Sequence, residues 1–546
     1  MTAAPPDRRR FPTAGAAVLG AAASAQLWLP STARAAETPL PDGVFALGVS
    51  SGDPLPDGIV LWTRLAPDPL NGGGMPDEAV PVQWELAEDE RFHRTVRRGT
   101  AQARPELGHS VHVDVRGLRP DRPYWYRFRA GGRLSPTGRT RTAPHPQCGG
   151  GALRVALASC QNWQHGYFTP YADMLAQDPD FVLFVGDYIH ASGPSATAVR
   201  RHEGGDEPYT LEQYRNRYAQ YRTDPGLAAM HANAPWVVTF DDHEVDSDRA
   251  GELPQDPDER SHDAFTAWPT AACQAYYEHM PVRASVIPTG PHIRMHRRLE
   301  FGRLARLNVL DTRQFRARRA TTQEGAESPS TTVLGAGQKQ WLLDGLHDSP
   351  ARWNLIASQI MMAGTDLLPG DGKFWYHDAW DGYQAERDAL LKEFAGIRNP
   401  VVLSGDRHLT MISDLKEDFA TPDSEVVGAE FVGTSISSDG DQDQAAFRAR
   451  WDPLKADNPH WKVIDAHRGY HLFDIRPDGI DAQVRVVDTV LQPQATASTL
   501  ARLRVEADEP GVRVVRAAEP GTHRGPRLLS ASPRVRLLPS LRGVRS

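Results

Sequence analysis

Three cysteines in 546 residues, Cys148, Cys160 and Cys273, are too few for a disulfide framework. One disulfide can form, and the odd count leaves at least one thiol over. Beyond the N-terminus no run is apolar and long enough for a membrane span. No serine nucleophile in a Gly-x-Ser-x-Gly turn is expected. A P-loop lysine motif is absent, and so is any internal repeat. The net charge of −8 argues against a nucleic-acid partner and is silent on fold.

What is present supports a large exported protein. The length fits two or three domains, and 40% hydrophobic residues with thirteen Trp suffice for a sizeable core. Arg8-Arg9-Arg10-Phe11 opens the chain with a basic twin-arginine pattern. A weakly apolar, Ala- and Gly-rich stretch follows from Thr13 to Leu29, and Ala33-Arg34-Ala35 fits a small-x-small cleavage site. Residues 1–36 are therefore expected to be a signal for the twin-arginine export machinery, which carries folded proteins. The mature protein would be periplasmic or extracellular. A disordered basic tail is the alternative.

Composition then divides the chain. Residues 40–145 read as all-β: Gly58–Arg64, Val82–Leu86, Ser110–Val115 and Tyr124–Phe128 are short runs of strand type separated by Asp, Gly and Pro. Leu118-Arg119-Pro120 ahead of Tyr124 resembles the turn and strand of an immunoglobulin or fibronectin type III sandwich. A Pro/Gly linker spans Pro144 to Gly151. From 152 to 510 strands and helices alternate, which predicts α/β layers. Helices are expected at Tyr167–Gln177, Thr210–Tyr221, Asp263–His279, Gly337–Leu346 and Glu386–Phe394, and a hairpin around Pro477-Asp478-Gly479. Residues 246–262 form an acidic loop, and 318–335 a polar one. The stretch 511–546 holds eight Arg, one Glu and no Lys. It reads either as a poorly ordered terminus or as a partner-binding tail.

Chemistry concentrates where apolar runs end. Leu153–Leu157 leads into Ser159-Cys160-Gln161, Phe181–Val185 into Gly186-Asp187, Trp236–Phe240 into Asp241-Asp242-His243-Glu244, and Val401–Leu403 into Gly405-Asp406-Arg407-His408. Strand ends hold side chains rigidly around one cavity, as a hydrolase with several metal ions requires.

These stretches, in this order, resemble the PhoD-type alkaline phosphatases and phosphodiesterases of the metallophosphoesterase superfamily. Leu310–Arg316, Ala379–Tyr383, Phe431–Ser438 and Ser51-Gly52-Asp53-Pro54 extend the resemblance over about residues 42–490. It implies an α/β (α+β) fold: a four-layer metallophosphoesterase β-sandwich flanked by helices, with an N-terminal all-β immunoglobulin/fibronectin-like domain. By the same resemblance Asp187 bridges two ions. Cys160 ligates iron, and metal binding would deprotonate its thiol. Asp242 replaces the superfamily's Asn, and Asp406 replaces a His. Both substitutions favour a hard ion such as calcium. His408 would bind the iron, and Gln359 stands where the superfamily carries another His ligand. His243 would protonate the leaving alkoxide, with Glu244 as a supporting hydrogen-bonding residue.

One position departs from the family pattern. His190 stands where a Tyr is usual, and a neutral imidazole suits a divalent ion such as Fe2+, Zn2+ or Mn2+ rather than Fe3+. Tyr188 should point away from Asp187 if the strand pleat persists. Arg313 offers a bidentate fork for phosphate, with a salt bridge to a carboxylate as its ordinary alternative, and Arg407 should face away.

The expected function is hydrolysis of phosphate esters by hydroxide held between cations, for phosphate scavenging by a monomer. Phospholipid head groups are the other substrate class, through a phospholipase D-like phosphodiesterase. The loops 191–208, 246–262 and 415–428 should decide between mono- and diesters. The reading from a different class is a non-catalytic surface-binding protein on a metallophosphatase scaffold.

Overall fold

The computed structural model describes residues 39–251, 262–421, 423–440 and 443–517. The expected export signal, much of the acidic loop, and the terminal stretch from 518 lie outside them. Among the described residues no helix is long and apolar enough to cross a membrane.

Two large sheets face each other. The first has ten strands, in the order Arg513–Ala517, Ala497–Glu506, Gly479–Val487, Gly469–Ile475, Leu153–Ala158, Phe181–Phe184, Pro235–Val238, Val49–Leu55, Gly58–Arg64 and Ser110–Arg116. The second has seven, in the order Arg297–Phe301, Ala305–Val309, Trp353–Ala357, Pro400–Ser404, Val426–Val432, Thr410–Lys416 and Trp461–Asp465. Strands buried on both faces read as unbroken apolar runs, and the alternation of their side chains shows why. Leu153, Val155, Leu157, Phe181 and Leu183 point between the sheets, where they meet Leu307, Leu355 and Leu403. Ala156, Ala158, Val182 and Phe184 point outward, beneath helices.

Helices Pro170–Gln177, Leu211–Arg222, Pro225–Asn233 and His262–His279 cover the ten-stranded sheet. Gly335–His347 and Gln384–Phe394 cover the other. The result is the expected four-layer α/β sandwich. The first helix starts at Pro170 instead of Tyr167, because proline lacks the N–H a helix interior needs and suits the first turn. Pro225–Asn233 and Gln444–Trp451 were not expected as helices. Asp224 and Asp443 cap them through their carboxylates.

The N-terminal region is a sandwich that shares a sheet with the rest. A five-stranded sheet built on Val80–Ala87, Thr95–Ala103 and Pro123–Ala130 packs Val82, Leu86, Tyr126 and Phe128 against Ile59, Leu61 and Val111. Tyr124 Oη accepts from Arg119 N at 3.0 Å, the back-bond of a tyrosine corner. Val49–Leu55 pairs in parallel with Pro235–Val238, through Ser51 opposite Pro235 and Gly52 opposite Trp236. Three N-terminal strands thus extend the main sheet. The expected tail also begins inside it, since Arg513–Ala517 pairs with Ala497–Glu506.

Gly48-Val49-Ser50-Ser51-Gly52 fits the Gly-x-Ser-x-Gly pattern, but it runs into a strand. Ser50 is buried, with Oγ 2.8 Å from His231 Nδ1. Tyr188 Oη lies 2.8 Å from the other nitrogen of that imidazole. Tyr188 therefore points into the core, away from Asp187.

Candidate metal centre

Leu153–Ala158, Phe181–Phe184 and Pro235–Val238 are parallel neighbours, so their carboxyl ends share one edge. The same holds for Ala305–Val309, Trp353–Ala357 and Pro400–Ser404 in the facing sheet. Segments leaving these ends bring their side chains together, at the usual place for a site in an α/β layer. Sharp left-handed turns aim the side chains. Cys160, Asp187, Asp406 and His408 have φ of 56°, 56°, 66° and 54°, a region non-glycine residues seldom occupy and one found at functional sites. Gly186 (φ 113°) brings two segments together, because a Cβ there would lie 2.4 Å from Asp241 Cβ.

Four groups of potential ligand atoms lie within 4.8 Å of one another: Cys160, Asp187 and His408; Asp187, His190 and His243; Asp187, Asp241 and Asp242; Asp242, Asp378 and Asp406. Asp187 is common to three of them. His190 Nε2 and His408 Nε2 each stand 4.0 Å from Asp187 Oδ2. The His190 and His243 rings stack, 4.3 Å apart, and the His243 N–H donates to Asp187 Oδ1 at 3.3 Å. Glu244 staples the turns, accepting from Asp187 N, Tyr188 N and Asp241 N.

Two sequence expectations meet a different arrangement. Gln359 faces no cluster. Its Oε1 accepts from Thr312 N and Oγ1, and its Nε2 donates to Thr239 Oγ1 and Leu310 O. A carboxamide oxygen has two lone pairs, and both are occupied. Arg313 has no exposed side-chain surface, so it does not reach toward substrate. It donates to Asp241, to Asp378 Oδ2 at 2.7 Å and to Asp406 Oδ1 at 3.0 Å, and Asp242 lies 3.4 Å away. Arg407 faces away as expected, stacked over the Tyr376 ring at 3.8 Å.

Sequence reasoning missed Asp241 and Asp378 as possible ligands. Asp241 was treated only as the start of its motif, although its buried Oδ2 has no hydrogen-bond partner. Asp378 stands one residue before the quoted Ala379–Tyr383 motif, a signal that could have found it. Arg316 Nη2 lies 2.8 Å from Asp378 Oδ1.

The comparisons with known proteins bear on this geometry. A family model described as PhoD-like phosphatase matches residues 155–484, and its N-terminal-domain model matches residues 31–144. The chain belongs to the PhoD-like phosphatase family. It is 44% identical over 483 residues to alkaline phosphatase D of Bacillus subtilis (strain 168), covering 86% of this chain and 82% of that protein. A solved structure described as "Structure of PhoD" superposes with a TM-score of 0.84 at 44% identity, covering 88% of this chain and 94% of that one. As a PhoD-like phosphatase the chain is a phosphoric ester hydrolase, and the four clusters are groups that could hold metal ions.

Electrostatics explain why this PhoD-like site suits cations. Four buried carboxylates, Asp187, Asp241, Asp242 and Asp378, and the partly buried Asp406 cluster with two guanidinium groups, Arg313 and Arg316. Burial pushes Asp241 and Asp406 well above the usual carboxylate range. Neighbouring carboxylates add to that, and Arg313 opposes it only in part. Burial and then Asp187 push the Cys160 thiol up. Asp242 goes the other way: burial works against its charge, but Arg313, His243 and the Asp248 N–H hold it below the usual range. Asp241 Oδ2 and Asp406 Oδ2 are buried without hydrogen-bond partners. Orphaned anionic oxygens of this kind fit bound metal ions, which favour the charged carboxylate and the thiolate.

Proposed function

We propose that this chain is an alkaline phosphatase exported by the twin-arginine route, hydrolysing phosphate esters as a monomer outside the cytoplasm to supply phosphate. The observation that supports it most is the set of four ligand clusters, three sharing Asp187 and the fourth linked to them through Asp242, with His243 among their members. In this reading residues 1–36 are the signal, 40–145 the β-sandwich domain, 152–510 the catalytic domain, and 511–546 the basic tail.

Cys160, Asp187, His190 and His408 would hold the softer ion. Asp242 and Asp406, with Asp241 and Asp378, offer only hard carboxylate oxygens and suit calcium. When bound, these ions lower the pKa of water and neutralise the phosphoryl oxygens. The softer ion is iron by family resemblance. The neutral His190 in place of Tyr favours a divalent state or Zn2+ or Mn2+. A violet phenolate-to-iron absorption band in the purified enzyme would overturn that preference.

The chain's own residues divide the remaining work. Asp187 anchors the cluster and orients the His243 backbone. Burial opposes the charge on His243, but Asp187, Asp242 and Asp241 outweigh it and raise the imidazole pKa. In this reading His243 would deliver a proton to the leaving oxygen as the ester bond breaks. Arg313 holds four carboxylates in register instead of contacting substrate.

The test is turnover of p-nitrophenyl phosphate and bis-p-nitrophenyl phosphate by the exported protein, with calcium and with chelator. Chelator-sensitive hydrolysis supports the reading, and the ratio of the two rates separates phosphatase from phosphodiesterase. Absence of turnover in metal-loaded protein would instead favour a non-catalytic binding role.

A further inference from the structure

A cavity of about 330 Å³ opens where the N-terminal sandwich, the edge strand Arg297–Phe301 and the helix Gly335–His347 meet. Its charged lining is one-sided: Arg283, Arg294, Arg297, Arg298 and His296 face a single carboxylate, Asp53. That carboxylate is already engaged, since Arg297 Nε and Nη2 both donate to Asp53 Oδ1, at 2.9 and 2.8 Å. Arg283 pairs with Asp114 outside the cavity. Arg298 has neutral acceptors only, Asn308 Oδ1 at 2.7 Å and Trp341 O at 2.8 Å. Arg294 is exposed and has no hydrogen-bond or ion-pair partner among the described residues. His296 Nδ1 is buried without a partner.

The surroundings hold Arg298 in place. Its guanidinium lies 4.6 Å from the Trp341 ring centroid. It occupies a slot in the helix that exists because residue 345 is glycine: a Cβ there would lie 1.5 Å from Arg298 Nη2. A glycine inside a helix costs about 1 kcal/mol relative to alanine. Burial, and then Arg306, lower the Arg298 pKa, and Glu300, Asp344 and Asp348 only partly compensate. An added anion would relieve that situation.

We propose that this cavity binds a small phosphate-bearing anion, at a site separate from the catalytic cluster. The free guanidinium of Arg294, in the segment leading into the edge strand, and the remaining N–H groups of Arg298, on the strand itself, match an anion with three or more acceptor oxygens better than a single carboxylate. The volume reaches the lower end for ligand pockets, about 300 Å³, which leaves room for a small organic group against Trp341. The junction of domain-like units is a common location for such sites. Inorganic phosphate and a small phosphate ester share the chemistry, and the experiment separates them.

Metal-loaded protein would be titrated by calorimetry with phenylphosphonate, which phosphatases cannot hydrolyse, and in parallel with inorganic phosphate. Two anions per chain are expected. Arg294→Glu should weaken one of them by about tenfold to a hundredfold, the scale of a lost charged hydrogen bond. Asp187→Asn should remove the other and leave the cavity's anion in place. Tighter binding of phenylphosphonate than of phosphate at the cavity identifies an organic ester as the ligand; equal binding identifies the free ion. One anion per chain, lost in Asp187→Asn and unaffected by Arg294→Glu, would overturn the proposal. Arg294→Lys, which keeps the charge without the fork, guards against a folding defect: it should retain the melting temperature and still bind the cavity's anion more weakly. Because the cavity is read by binding and the catalytic centre by turnover, either can fail without the other.

Discussion

Arg313 donates to Asp378 Oδ2 at 2.7 Å, joining segments 65 residues apart, and neither side chain is more than 2% exposed. Arg313→Lys leaves one ammonium where a planar fork served several carboxylates. Breaking such a buried network costs about 3–5 kcal/mol. The expected outcome is lower urea stability together with reduced metal content on elemental analysis. A raised KM with unchanged stability and metal content would return Arg313 to a substrate-contacting role.

His243→Gln removes the proposed proton donor while leaving the backbone bond to Asp187. For an alkyl phosphate, kcat should fall about 10²- to 10⁴-fold, the range for general acid catalysis. For p-nitrophenyl phosphate, whose leaving group needs little protonation, the fall should be much smaller. Equal losses on both esters, with metal content intact, would show that His243 stabilises phosphoryl oxygens instead.

Gly186 and Gly204 both have positive φ, 113° and 85°, yet only Gly186 is crowded, since nothing lies within 4 Å of a Cβ built on Gly204. Gly204→Ala should cost about 1 kcal/mol through backbone strain alone. Gly186→Ala must also push the Asp241 turn aside, so it should lose more stability and most of its activity. Thermal melts and turnover of the two variants make the comparison.

His471 is buried, and burial lowers its pKa from 6.5 to about 3. The unfolded chain therefore binds a proton that the folded chain refuses between those values. Stability must rise with pH from about 3 to 6.5 and be lost on acidification. His112, His202 and His460 act in the same direction, with values of about 4, 3 and 4, burial being the first cause in each. His471 touches Phe431 and Phe473, so His471→Phe is a volume-tolerant test. Its urea midpoint should fall less between pH 7 and 4.5 than that of the parent, by one proton's share of the slope. An unchanged pH dependence would show that His471 titrates in the folded state.

Much of this was legible because both sheets are buried on both faces, so that apolar runs marked strands and their ends marked the site. Cys160, Asp187, Asp242, Asp406 and His408 fall where strand ends predicted. Gln359 did not follow, because a carboxamide serves equally well as a cross-link between loops, and only its four hydrogen bonds show which use it has. Arg313 failed for a related reason: the sequence shows a fork that fits phosphate but not the carboxylates brought to it from far along the chain. Asp378 reaches the site, and Asp53 and Trp341 reach the cavity at Arg294 and Arg298, from segments that no local pattern joins. The strand Val49–Leu55, with Gly, Asp and Pro in its middle, carries no strand signature of its own. Its partners on either side keep it in the sheet.

That same strand has a temporal consequence. On the ribosome Val49–Leu55 emerges nearly two hundred residues before its parallel neighbour Pro235–Val238, and the opposite flank of the sheet ends only at Ala517. Parallel pairing across such separations is slow to form. The ten-stranded sheet can therefore be completed only when almost the whole chain has been synthesised, and until then its central edges stay open to other strands. A protein built this way gains from finishing its fold in the compartment where it is made, beside chaperones, before being moved anywhere else.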